Sequence, residues 1–132
     1  MREATEGMAA RLAAMNAASE DLDQMSDLLK LESDAQDGSP DEIFRLNDRY
    51  HTAIHKASRN QYVLKAMQNY SSSMILLRSM TNIKFAPSTN AHEHHCSVFQ
   101  AIVREDPEAA ENAMREHIRY SRRKRMSLLR SA

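Results

Sequence analysis

Six histidines in a chain of 132 residues, at 51, 55, 92, 94, 95 and 117, are the residues best equipped for chemistry. Neutral imidazole is a common ligand for divalent transition metals, and a buried one needs a partner for each ring nitrogen. Helical phase, at about 100° per residue, sorts them. Ile43, Leu46, Tyr50, Ile54 and Ala57 recur at three- and four-residue spacing, and within or beside that apolar face stand Asn47 and His51, one turn apart. Asp48 and His55 fall further towards the polar side. In a later segment Ala91, His95, Val98 and Ile102 share a face, with His92 on its flank. In the last, Ala110, Ala113, Met114, His117, Ser121 and Leu128 do so, with His117 near the centre. Three imidazoles, His51, His95 and His117, thus point inward from three different helices. Leaving one buried polar group unpaired costs about 1–3 kcal/mol, and a single cation would satisfy all three together.

Those helices have to be assembled from a soft set of residues. Hydrophobic residues make up 42% of the chain, only 5% are aromatic, and there are nine Met and no Trp. Two Gly and three Pro are too few for a many-turned β-fold, so the composition predicts a helical domain. A first helix spans residues 2 to 17 with Met8, Leu12 and Met15 as its inward seam. Ser19 is the expected N-cap of a second, whose apolar face is Leu22, Met25, Leu28 and Leu29. The run from Ser33 to Ser39 reads as a loop, and Pro40 suits the first position of a third helix. After Ser58-Arg59-Asn60 a fourth carries Val63, Met67, Tyr70, Met74 and Leu77 on one side, with Arg78 near the edge of that face. Pro87 to Asn90 forms the next loop. A fifth helix runs to about Arg104, and Asp106-Pro107-Glu108 is a strong start signal for a sixth that continues almost to the terminus.

Other function classes are weakly supported. Lys plus Arg and Asp plus Glu both total 18, so overall charge offers no hint of nucleic-acid binding. The basic run Arg119, Arg122, Arg123, Lys124, Arg125 and Arg130 reads as a solvated face with favourable charge at a helix C-terminus. One cysteine, Cys96, excludes an intramolecular disulfide, and no apolar run approaches the ~20 residues of a membrane span. With no signal peptide at the N-terminus, a cytoplasmic protein is expected. His92-Glu93-His94-His95-Cys96 imitates a zinc-protease motif, but Cys96 stands where its second histidine belongs.

Taken in order, several segments resemble the FCD domain, the all-helical effector-binding module of FadR-type regulators in the GntR superfamily. They are the opening Arg2-Glu3-Ala4-Thr5-Glu6-Gly7-Met8-Ala9-Ala10-Arg11-Leu12-Ala13-Ala14, then Leu46-Asn47-Asp48-Arg49-Tyr50-His51, Ala57-Ser58-Arg59-Asn60, and His95 with Ala101-Ile102. The last is Asp106-Pro107-Glu108-Ala109-Ala110 through Met114-Arg115-Glu116-His117. The resemblance implies a single all-α domain over residues 1–132, an antiparallel bundle of about six helices. In the metal-binding branch it implies a divalent ion, zinc or nickel, held by Asn47, His51, His95 and His117. Asn47 departs from the family's usual Asp and brings no negative charge. The resemblance also implies a small carboxylate effector met by Arg2, the arginine of the first helix; Arg78 is a second candidate from its helical phase.

Such a domain is a sensor, with no catalytic residues, expected to work as a homodimer and to reach DNA only through a winged helix-turn-helix domain that this chain does not contain. The chain is accordingly expected to be a fragment of a regulator or a stand-alone relative. Two rivals remain at this level. One is a metal-dependent hydrolase-like enzyme, for which no carboxylate is evidently placed as a base and Glu93 is the only nearby candidate; the other is a metal-free helical interaction module.

Overall fold

The computed structural model describes residues 2–81 and 90–131, apart from the side chains of Arg78, Thr81 and Ser131. Six α-helices are found among the described residues: α1 (Arg2–Asn16), α2 (Ser19–Asp34), α3 (Pro40–Ala57), α4 (Gln61–Thr81), α5 (Ala91–Val103) and α6 (Pro107–Ser131). The expected all-α class is observed, and no strand occurs among these residues.

Local chemistry sets the helix ends. Ser39 accepts a hydrogen bond from the Glu42 backbone N–H, and Pro40 follows it at the first helical position. Asp106 caps α6 by accepting from the Ala109 N–H at 3.1 Å. At the start of α2 the capping position is Ala18 rather than Ser19; the Asp21 carboxylate reaches back to accept from the Ala18 N–H at 2.8 Å. That helix continues through Asp34, two residues into the segment expected to be loop. The expected loop at Pro87–Thr89 lies outside the described residues, whereas Asn90 precedes α5.

α5 and α6 are antiparallel, the start of α5 lying beside the second half of α6 through Asn90 and Tyr120. α1 also runs antiparallel to α6, with Glu3 beside Arg119 and Arg11 beside Glu111. α1 packs against α3, α4, α5 and α6, while α2 packs against α3 and α5. The three faces that present inward histidines, on α3, α5 and α6, meet near the middle of the bundle.

The inward seam of α1 differs from expectation. Met8 and Met15 are 42% and 62% exposed, whereas Ala9, Ala10, Ala13 and Ala14 are buried together with Glu6 and Gly7. Small residues let α1 approach α6 closely: a Cβ placed on Gly7 would stand 2.9 Å from Arg115 Cγ. Hydrophobicity alone favoured the methionine stripe, but close packing favoured the alanine one. The core then fills with Met25, Leu28, Tyr50, Ile54, Val98, Ile102, Met114 and Ile118, all nearly inaccessible to water.

Candidate metal and effector site

Tyr50 of α3 sets the position of α5. Its hydroxyl donates to the His95 carbonyl at 2.7 Å, and its ring lies 4.6 Å from the His95 imidazole. Burial pushes the Tyr50 hydroxyl well above its usual pKa, so it remains a donor. With α5 held this way, His51, His95 and His117 meet. His95 Nε2 and His117 Nε2 are 3.1 Å apart, and His117 Nε2 and His51 Nε2 are 3.3 Å apart. All three residues are buried. Ligands about 2.0–2.1 Å from a tetrahedral ion stand about 3.3 Å from one another, so these separations match those of nitrogens sharing one cation.

The outer nitrogens explain the orientation. Glu32 of α2 places its carboxylate 2.8 and 2.9 Å from His95 Nδ1. A carboxylate held ionised can only accept, so His95 carries its proton on Nδ1 and offers a lone pair at Nε2. Burial by itself would raise the Glu32 carboxyl, but hydrogen bonds and charge from His95 and His92 bring it below the usual range. His117 Nδ1 lies 3.2 Å from His94 Nδ1, and His51 Nδ1 lies 3.2 Å from Glu6 Oε2. Three Nε2 atoms thus face one another, and one N–H among them can satisfy only one neighbour at a time. A cation satisfies all three.

Burial dominates the proton affinities here. It lowers His95 to about 4 and drives His117 far below the ordinary histidine value, with the neighbouring imidazoles adding to the shift. Both rings are neutral near pH 7, as metal ligation requires. For Glu6, burial opposes ionisation, but His51 and His55 hold its carboxyl well below the usual range.

His51 and His117 also line a cavity of about 80 Å³ between α1, α3, α4 and α6. Asn47, half-buried one turn before His51, belongs to its wall, as do Arg2, Glu6 and Asp48. Arg2 lies with its guanidinium carbon 4.5 Å from the centre of the Tyr70 ring and Nη2 3.6 Å from Glu6 Oε2. The Arg78 side chain lies outside the described residues.

Several residues of the site were not legible as such in the sequence. Glu6 and Glu32 are the carboxylates beside the imidazoles, while Glu93 has no place among them. Glu32 follows Leu28 and Leu29 on the buried face of α2, a phase signal that could have found it. His55, expected towards the polar side, is buried with its Nε2 2.6 Å from Glu6 Oε1. α1 covers that side of α3, so the helix has no purely solvated flank there. The basic run divides: Arg119 faces Glu3, whereas Lys124 and Arg125 line the cavity.

With this geometry in view, comparison with known proteins is decisive at the family level. The profile of the FCD domain matches residues 1–120. The chain belongs to the FCD domain family. It is therefore a ligand-sensing regulatory domain of the GntR type, and an effector-binding domain rather than an enzyme. No protein of curated function matches its sequence significantly. Among solved structures, E. coli McbR/YncC is similar, with a TM-score of 0.78 at 21% identity over 98% of this chain. At that identity the likeness concerns the fold. The chain corresponds to 61% of the length of McbR/YncC. No described helix of the FCD domain is long and apolar enough to cross a membrane.

Proposed function

We propose that this FCD domain senses a small organic acid at a divalent metal centre inside its bundle. His51, His95 and His117 are the proposed ligands, with Asn47 beside them and zinc or nickel as the ion. The single observation carrying this reading is the convergence of three Nε2 atoms, one of which Glu32 fixes as an acceptor. An ion held by three neutral imidazoles keeps its full charge and leaves coordination positions for a carboxylate.

Residues around the cavity favour an anion. Arg2, Lys124 and Arg125 outnumber the two carboxylates of its wall, Glu6, which lies beside Arg2, and Asp48, which accepts from the Ser71 hydroxyl at 3.2 Å. Arg2 is positioned to pair with the effector's carboxylate, and guanidinium suits that group through two parallel hydrogen bonds. Arg78 remains a second candidate from sequence phase. Asn47 leaves the ion's charge uncompensated, which strengthens its attraction for an anionic effector.

Membership of the family supports a wider setting for this reading. Residues 1–132 form one effector domain that works as a homodimer in the cytoplasm and reaches DNA through a separate winged helix-turn-helix domain. Effector binding then shifts the populations of dimer arrangements, by no more than its differential affinity for them.

A thermal-shift screen of small carboxylates with and without Zn²⁺ or Ni²⁺ tests the proposal. Stabilisation that requires both ion and acid, and disappears in His117→Ala, is expected. Equal stabilisation by an acid in chelator-treated protein and in His117→Ala would exclude the metal centre.

A further inference from the structure

A second cluster adjoins the first on the other side of His51. Glu6, His51 and His55 are 1%, 4% and 5% exposed, and one ligand atom from each lies within 4.8 Å of the others. All three line the cavity, which gives an ion a way in. Glu6 Oε2 and His51 Nδ1 stand 3.2 Å apart, close to the ~3.3 Å edge expected of two ligands on one tetrahedral ion. His51 Nδ1 is buried there without a hydrogen bond of acceptable geometry. A buried polar atom left unpaired is costly, and this one faces a carboxylate and a second imidazole. His51 and His55 are four residues apart on α3, a spacing that sets two imidazoles on one side of a helix for a shared metal.

We propose that Glu6, His51 and His55 form a second divalent-cation site, which shares His51 with the three-histidine site through opposite ring nitrogens. Its donors are one carboxylate and two imidazoles, so it supplies the negative charge that Asn47 does not. Glu6 has another cation nearby, since Arg2 Nη2 is 3.6 Å from its Oε2. An incoming ion displaces Arg2, which can rest against the Tyr70 ring that it already overlies. Filling both sites transfers one proton from His51 Nδ1 to solvent and leaves a bridging imidazolate. His55 Nε2, which now donates to Glu6 Oε1 at 2.6 Å, gives up that hydrogen bond: the proton moves through solvent to Nδ1, and Nε2 turns its lone pair to the ion. Nothing is oxidised or reduced.

The proposal shares only His51 with the three-histidine reading, so their failures separate. The experiment is elemental analysis of the tag-free chain after equilibration with Zn²⁺ and desalting, with circular dichroism to establish that each variant is folded. Two zinc ions per chain are expected, falling to one in His55→Ala and in Glu6→Gln, and to one in His95→Ala. One ion in the parent chain, lost in His55→Ala but retained in His95→Ala, would support the second site and overturn the first. Zinc content unchanged by both His55→Ala and Glu6→Gln would overturn the second site and leave the first untouched. With two equivalents of Cu²⁺, a bridging imidazolate couples the two spins and reduces the paramagnetic signal; a signal equal to two isolated ions would overturn the sharing of His51.

Discussion

Glu32 shows how much one side chain can decide. It is 4% exposed, it contacts both His92 and His95, and its carboxylate selects which nitrogen His95 turns towards its neighbours. Partners of this kind typically contribute 10–100-fold to metal affinity through orientation and basicity. Glu32→Gln is therefore expected to weaken Zn²⁺ binding by about 10–100-fold while the fold persists, as titration calorimetry can measure. The amide keeps a similar shape, but it can present its NH2 to His95 and so permit the wrong tautomer.

Proton binding belongs to the same scale. His95 is lowered to about 4 and His117 is lowered further, both chiefly by burial. The unfolded chain takes up protons on these histidines below about pH 6.5 while the folded chain does not. Their neutral burial consequently costs nothing above that pH and progressively more stability as the pH falls towards about 4. Glu6 and Glu32, whose folded values are lowered, add stability above the ordinary carboxylate range and lose it further down. Chelator-treated protein should show a melting temperature that falls between pH 7 and pH 4; a flat profile would contradict neutral burial.

At the scale of elements, the two tight links carry strain that glycine would relieve. Arg59 and Glu105 adopt left-handed backbone conformations, with φ of 55° and 56°. After α5, the Glu105 N–H donates to the Ile102 carbonyl and the Asp106 N–H to the Ala101 carbonyl, both at 3.0 Å. This pair of bonds closes the helix C-terminus with a left-handed residue, a place that glycine usually fills. Glu105 is exposed, so its side chain contributes little packing in return. Glu105→Gly is expected to stabilise the domain by up to about 1 kcal/mol, read as a raised midpoint in urea unfolding. This link fixes how α6 turns back along α5, and hence the register of His117 against His95.

For the whole molecule, stability and ligand occupancy are coupled. The proposed site draws on α3, α5 and α6, with α1 and α2 behind it, so an ion bound there holds most of the bundle together. A ligand present at about 1,000 times its Kd adds roughly 4 kcal/mol to the folded state. Removal of metal by a chelator should accordingly lower the melting temperature by about 10 °C or more, restored by Zn²⁺ but not by Mg²⁺, which prefers oxygen ligands. A core truncation gives a control at a distance from charge chemistry. Met114 is fully buried, and Met114→Ala should cost about 2–5 kcal/mol with or without metal.

Much of this architecture follows from the sequence alone. Periodicity and the signals around Pro40 and Pro107 are local, and they placed α3 and α6; phase on a single helix likewise turned His51, His95 and His117 inward. The FCD resemblance ordered those helices, and the family match and the observed fold agree with it. Other features depended on which helix covers which face. Met8 and Met15 give way to alanines only because α6 approaches α1 closely, and His55 is buried only because Glu6 lies opposite it. Glu6, Glu32 and Arg125 come from helices remote in sequence; phase could turn Glu32 inward, but no local pattern records which neighbour any of the three meets. A helix pattern specifies which direction a side chain leaves its own axis, whereas its partner, its proton and its electrostatic role are decided by tertiary packing.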